Sequence, residues 1–180
     1  MRVRISVAGI CFLLAATVTA GNALAQSTAT HKPAEDAYAP LWLYNGSWGL
    51  ETAGGNEHSK TQISNHCEKT GLFFVCEQVI GGKSEDLVVF VPTGASGITQ
   101  SYRTMGLSAG GETPGDWGKL EISGDRWVYS SEETDKGSKV YWRTINLFSG
   151  RDKIHFEIQR SVDGKTWETR RSGDEHRTNK

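Results

Sequence analysis

From residue 47 to residue 172 the chain is a succession of ten short segments in which apolar and polar side chains alternate, and no window there carries helical periodicity over ten or more residues. The segments run over 47–53, 60–68, 72–80, 85–92, 97–105, 117–123, 126–133, 138–148, 153–161 and 166–172. Between them stand turn-forming residues such as Gly54-Gly55-Asn56, Gly81-Gly82, Gly124-Asp125, Gly150-Arg151-Asp152 and Asp163-Gly164. Ile154, Phe156 and Ile158 alternate with Lys153, His155, Glu157 and Gln159, so that one face is dry and the other wet, and Leu120 and Ile122 alternate with Lys119 and Glu121 in the same way. About ten antiparallel strands with short connections must close on themselves or pair as two sheets, because bare edges invite aggregation. A meander with a single long connection, Gly106–Asp116, favours closure. The expectation is an all-β chain: one antiparallel meander barrel of about ten strands over 41–172, followed by a flexible tail at 173–180.

The first 25 residues read as something else. Met1-Arg2-Val3-Arg4 is basic, Val7–Ala20 is apolar, and Ala23-Leu24-Ala25 offers the small residues of a signal-peptidase site. The apolar stretch is too short for a transmembrane helix of roughly 20 residues. Cleavage near Ala25 and a periplasmic or secreted protein with no membrane span are therefore expected. The remaining 155 residues make one domain with room for a real core. Residues 26–40 read as a disordered or short helical lead-in, with a helical turn at Pro33–Ala37 ended by Pro40. Losing Arg2 and Arg4 moves the net charge from −1 to −3, which provides no basic face for nucleic acid.

With Cys11 removed, Cys67 and Cys76 remain, and in an oxidising compartment such a pair reads first as a disulfide. Direct opposition of the two across a hairpin requires an even loop, either Gly71-Leu72 or Thr70–Phe73. A metal site would need further ligands, and His66 next to Cys67 points to the other face of a strand, so no metal is expected.

Gly46-Ser47-Trp48, with the strand patterns that follow, resembles the start of the first strand in lipocalin-like (calycin-type) barrels, including exported bacterial proteins of unknown function and the nitrobindin type. The resemblance covers roughly 41–172. It implies a Trp packed at a closed barrel end, here Trp48 with Trp42 nearby, against an arginine of a late strand; Arg160, Arg170 and Arg171 are available. The nitrobindin type would imply haem on a late-strand histidine, here His155, but its polar neighbours place it on the wet face, so no cofactor is expected.

Chemistry is sparsely signposted. The chain has no Gly-x-Ser-x-Gly elbow, and its five histidines show no metal-ligand spacing. Ser161–Trp167 resembles the Asp-box hairpin of sialidase-type propellers, but it occurs once and reads as a turn built on Asp163-Gly164. Binding is the remaining class, and six tryptophans and five tyrosines supply either wall packing or an aromatic pocket. Tyr102-Arg103 and Trp142-Arg143 are the candidate ligand-binding residues, since alternation forces one member of each pair inward and an inward arginine would favour a carboxylate. Two functions follow as expectations: a carrier of a small apolar or amphiphilic molecule, or a structural or protein/glycan-interaction module with a filled core. The chain does not read as an enzyme, and its oligomeric state is not legible.

Overall fold

The computed structural model describes residues 35–52, 61–110 and 117–178. The signal peptide expected at 1–25, residues 26–34 of the lead-in and residues 111–116 of the long connection lie outside the described residues. Ten strands follow one another: β1 (Gly46–Thr52), β2 (Thr61–Thr70), β3 (Phe73–Ile80), β4 (Lys83–Ser96), β5 (Thr99–Ser108), β6 (Trp117–Ser123), β7 (Arg126–Asp135), β8 (Ser138–Ser149), β9 (Lys153–Ser161) and β10 (Glu168–Arg177). Each pairs antiparallel with its sequence neighbours, and β1 pairs with β10, so the meander closes and leaves no free edge. A closed ten-strand antiparallel meander is compatible with a lipocalin-like fold.

Turn chemistry accounts for the close spacing. Lys136 and Gly137, between β7 and β8, both have positive φ (50° and 83°), the backbone of a type I′ hairpin turn whose twist matches that of its strands. Thr70 pairs with Phe73 across a two-residue Gly71-Leu72 turn, which sets Cys67 directly opposite Cys76. The two sulfurs lie at disulfide distance, 2.11 Å.

One end of the barrel is closed by packing. Residues 35–38 and 40–43 form two 3-10 turns. Pro40 therefore begins the second turn instead of ending a helix, its fixed φ and missing N–H being acceptable at a first helical position. Tyr38 and Leu41 are buried, Tyr38 stacked on Phe74 with ring centroids 5.8 Å apart. Trp48 is fully buried, and its indole N–H donates to Tyr44 O at 3.1 Å. Trp42, half-exposed, sets its edge on Phe74 at 4.9 Å. Trp127 and Phe148 (4.7 Å), Leu120 and Tyr102 complete this layer.

The arginine over Trp48 is Arg177, 4.2 Å from the indole ring, and not Arg160, Arg170 or Arg171. Residues 173–177, expected in a flexible tail, form the end of β10, and Arg177 is the register partner of Trp48. A register shift between Thr169 and Arg171 hid this extension. The extra residue reverses which side chains face inward, and period-two alternation cannot be read through it.

Candidate functional site

Beyond the packed layer the barrel interior opens into a cavity of ≈ 770 Å³. Inward positions of successive strands supply an apolar wall: Leu50, Ile63, Ile80, Val88, Phe90, Phe156 and Ile158. Set into that wall are Tyr44, Asn65, Gln78, Tyr129, Asn146 and Glu175, and the lining also includes Asp86 and Arg171. The polar group is only partly self-satisfied. Gln78 Nε2 donates to Asn65 Oδ1 at 3.3 Å and reaches Tyr44 Oη at 3.5 Å. Among the described residues, three buried side-chain atoms have no hydrogen-bond partner in the protein: Asn65 Nδ2, Tyr129 Oη and Glu175 Oε2. All three residues line this one cavity. An unpartnered buried polar atom costs about 1–3 kcal/mol, so a fold that keeps three of them facing one space meets them with water or with a ligand.

Burial governs the electrostatics here. Desolvation raises the Glu175 carboxyl to about 7, with Arg171 pulling in the opposite direction. The Tyr44 phenol is raised by burial and secondarily by the Glu175 charge, and that of Tyr129 is raised well above the usual phenol range by burial first and then by Tyr44, Glu175 and Tyr102. The cavity thus holds a carboxyl that changes charge near neutral pH beside two phenols that stay protonated.

Of the four residues singled out from the sequence, Trp142 and Arg143 line a neighbouring cavity of ≈ 650 Å³ that shares Val88, Gly106, Tyr129, Ser131 and Thr144 with the first, whereas Tyr102 and Arg103 line neither. Tyr102 points inward but belongs to the packed end, its hydroxyl 2.5 Å from Ala37 O and 2.7 Å from Gln100 Oε1. Arg103 is exposed, stacked over Trp117 at 4.4 Å. Trp142 stands near the open rim, where its indole N–H donates to Glu133 Oε1 at 2.6 Å. Arg143 lies over Trp167 at 4.0 Å, and its Nε donates to Gln159 Oε1 at 2.6 Å. None of the four lines the deep cavity. His155 lies on the outer face, paired with Asp174 at 2.9 Å. Ser161–Trp167 forms the expected tight turn: Asp163 accepts from the backbone N–H groups of Lys165 and Thr166 at 2.8 and 2.7 Å, which holds its carboxyl well below the usual carboxylate range.

The residues the sequence reading missed are Tyr44, Asn65, Gln78, Tyr129 and Glu175. Asn65 interrupts the inward set Ile63–Asn65–Cys67, and a polar residue at a dry position was the available signal. Among the described residues there is no group of three His, Cys, Asp or Glu arranged to hold a metal ion. No protein-family model matches the chain, and a search of curated proteins finds no match.

Proposed function

We propose that this is an exported lipocalin-like carrier that holds one small amphiphilic molecule inside its barrel, apolar body against the wall and polar head against Asn65, Tyr129 and Glu175. The observation that carries this reading is the convergence of three unpartnered buried polar atoms on one cavity of ≈ 770 Å³ with a largely apolar wall. Pockets for small molecules have this size and this composition: an apolar lining with a few polar groups that fix orientation. Export is supported by the basic-apolar-small pattern of residues 1–25 and by the Cys67–Cys76 pair. No helix among the described residues is long and apolar enough to cross a membrane.

Native mass spectrometry of the protein purified from its natural host, run before and after organic extraction, tests the reading. A carrier is expected to retain a discrete mass of a few hundred daltons that extraction removes. A single bare mass, with no uptake of amphiphilic probes by the extracted protein, would overturn it. The alternative, an interaction module, is favoured by a different observation: Trp42, Leu72 and Phe73 are exposed at the closed end. An outer apolar patch of that kind is the surface such a module would use.

A further inference from the structure

Glu175 is 8% exposed, and among the described residues no cation stands within ion-pair distance of it; Arg171, in the same cavity, acts on its charge only from farther away. A carboxylate in such a position costs several kcal/mol of desolvation unless a cation answers it. Elsewhere in the same cavity hydrogen-bonding capacity is provided by neutral amides, at Asn65, Gln78 and Asn146. A carbonyl head would be served as well by a fourth amide, and although a hydroxyl can donate to a carboxylate, a cation gains most from the acid because it also answers the charge. The surrounding wall is suited to the same charge, because Tyr44, Phe90, Tyr129 and Phe156 line the cavity with aromatic rings. A guanidinium already lies 6.0 Å from one of them, Arg171 over Phe156. Cations are attracted to aromatic faces, more strongly where water is excluded.

We infer that the occupant of this cavity carries a protonated amine, paired with the Glu175 carboxylate and hydrogen-bonded to Tyr129 Oη, with Asn65 Nδ2 donating to a nearby oxygen of the same molecule. This rests on the carrier reading and specifies its ligand. The titratable and charged groups that share the cavity with Glu175 are Tyr44, Tyr129, Asp86 and Arg171; Lys153, His155 and Asp174 engage one another on the outer face. Both tyrosines remain protonated across the neutral range, so Glu175 is the group whose ionisation sets the pH dependence there.

The test is isothermal titration of the protein with three probes of one scaffold: tryptamine (ammonium head), tryptophol (hydroxyl head) and indole-3-acetate (carboxylate head). At pH 8 tryptamine is expected to bind at least tenfold tighter than tryptophol, with indole-3-acetate weakest. Lowering the pH of the unaltered protein to 5.5 protonates Glu175 and should weaken tryptamine by on the order of tenfold or more while leaving tryptophol unchanged. Glu175→Gln should abolish the preference for ammonium, whereas Glu121→Gln, at a half-exposed acid paired with Lys119 outside the cavity, should keep it. Equal binding of tryptamine and tryptophol, tightest binding of indole-3-acetate, or a preference that survives Glu175→Gln would overturn the inference and leave the carrier reading standing. Failure of all three probes to bind would count against both. The pH profile of the unaltered protein decides the matter even if Glu175→Gln does not fold.

Discussion

Arg177 and Glu175 stand two residues apart on the same face of β10, about 6.6 Å along the strand, and their surroundings are opposite. Arg177 donates through Nε to Arg151 O (2.9 Å), through Nη1 to Asn45 O (2.7 Å) and through Nη2 to Leu43 O (2.7 Å), and it covers the Trp48 ring. Glu175 has an oxygen to which no group among the described residues donates a hydrogen bond. Both are charged side chains at inward positions of one strand, yet one is committed to holding the barrel shut and the other is free to meet something brought in from outside. A buried charge is a structural device where the protein supplies its partners and a recognition device where it does not.

Four substitutions sharpen or break that comparison. The largest effect is expected at the closed end, where Trp48→Ala removes a fully buried indole and should cost about 3–5 kcal/mol in urea unfolding. Arg177→Met keeps an apolar stem over Trp48 but removes three hydrogen bonds to main-chain carbonyls, of which that of Leu43 is part-buried and the other two can turn to water, and a loss of about 1–2 kcal/mol is expected in the same assay. Glu175→Gln should have the opposite sign. The Glu175 carboxyl is raised from 4.5 to about 7 on folding, so the folded state holds its proton more tightly. The ionised acid therefore costs stability increasingly as pH rises from about 4.5 to 7, and the cost is constant above that. Glu175→Gln should accordingly stabilise by about 1–2 kcal/mol at pH 8 and by nothing measurable at pH 4, read from urea midpoints across that range. If it destabilised at pH 8 as Arg177→Met does, the two ends would not differ and the comparison would fail. The smallest effect on stability belongs to Gly106→Phe. A Cβ at Gly106 meets nothing within 4 Å, and the residue lines the cavity, so the ring should fill open space. Unfolding free energy should stay within about 1 kcal/mol while uptake of amphiphilic probes is lost.

The wall of the barrel was legible because it obeys a local rule. Nine of the ten strands could be placed to within four residues at either end, β10 runs five residues past its expected end, and the opposition of Cys67 and Cys76 was legible only as a condition on the hairpin loop, which the Gly71-Leu72 turn meets and a turn centred on Thr70-Gly71 would not. The site was not legible because it consists of exceptions to that rule. Asn65 and Gln78 are polar residues at dry positions, Tyr129 reads as core, and Glu175 lies beyond the register shift after Thr169, in what looked like a tail. Tyr102 and Trp142 drew attention as aromatics next to arginines, but a local pair cannot report where along the barrel axis it sits. That depth is set by the register of the whole closed sheet, a property of all ten strands together.

Gly46 has φ 128°, and a Cβ there would collide with the Arg177 guanidinium, so the missing side chain is the seat that Arg177 occupies. The seat is made by residue 46 and filled by residue 177, with hydrogen bonds that span 132 and 134 positions of the chain. On the ribosome, hairpins from β2 onward can zip as they emerge, but β1 has no second neighbour and Trp48 no cover until synthesis has passed Arg177. Closure of the barrel therefore waits on its last strand: hairpins along the meander are local, but the seam joins residues more than 130 positions apart, the kind of contact whose loop-closure entropy must be met before it repays anything.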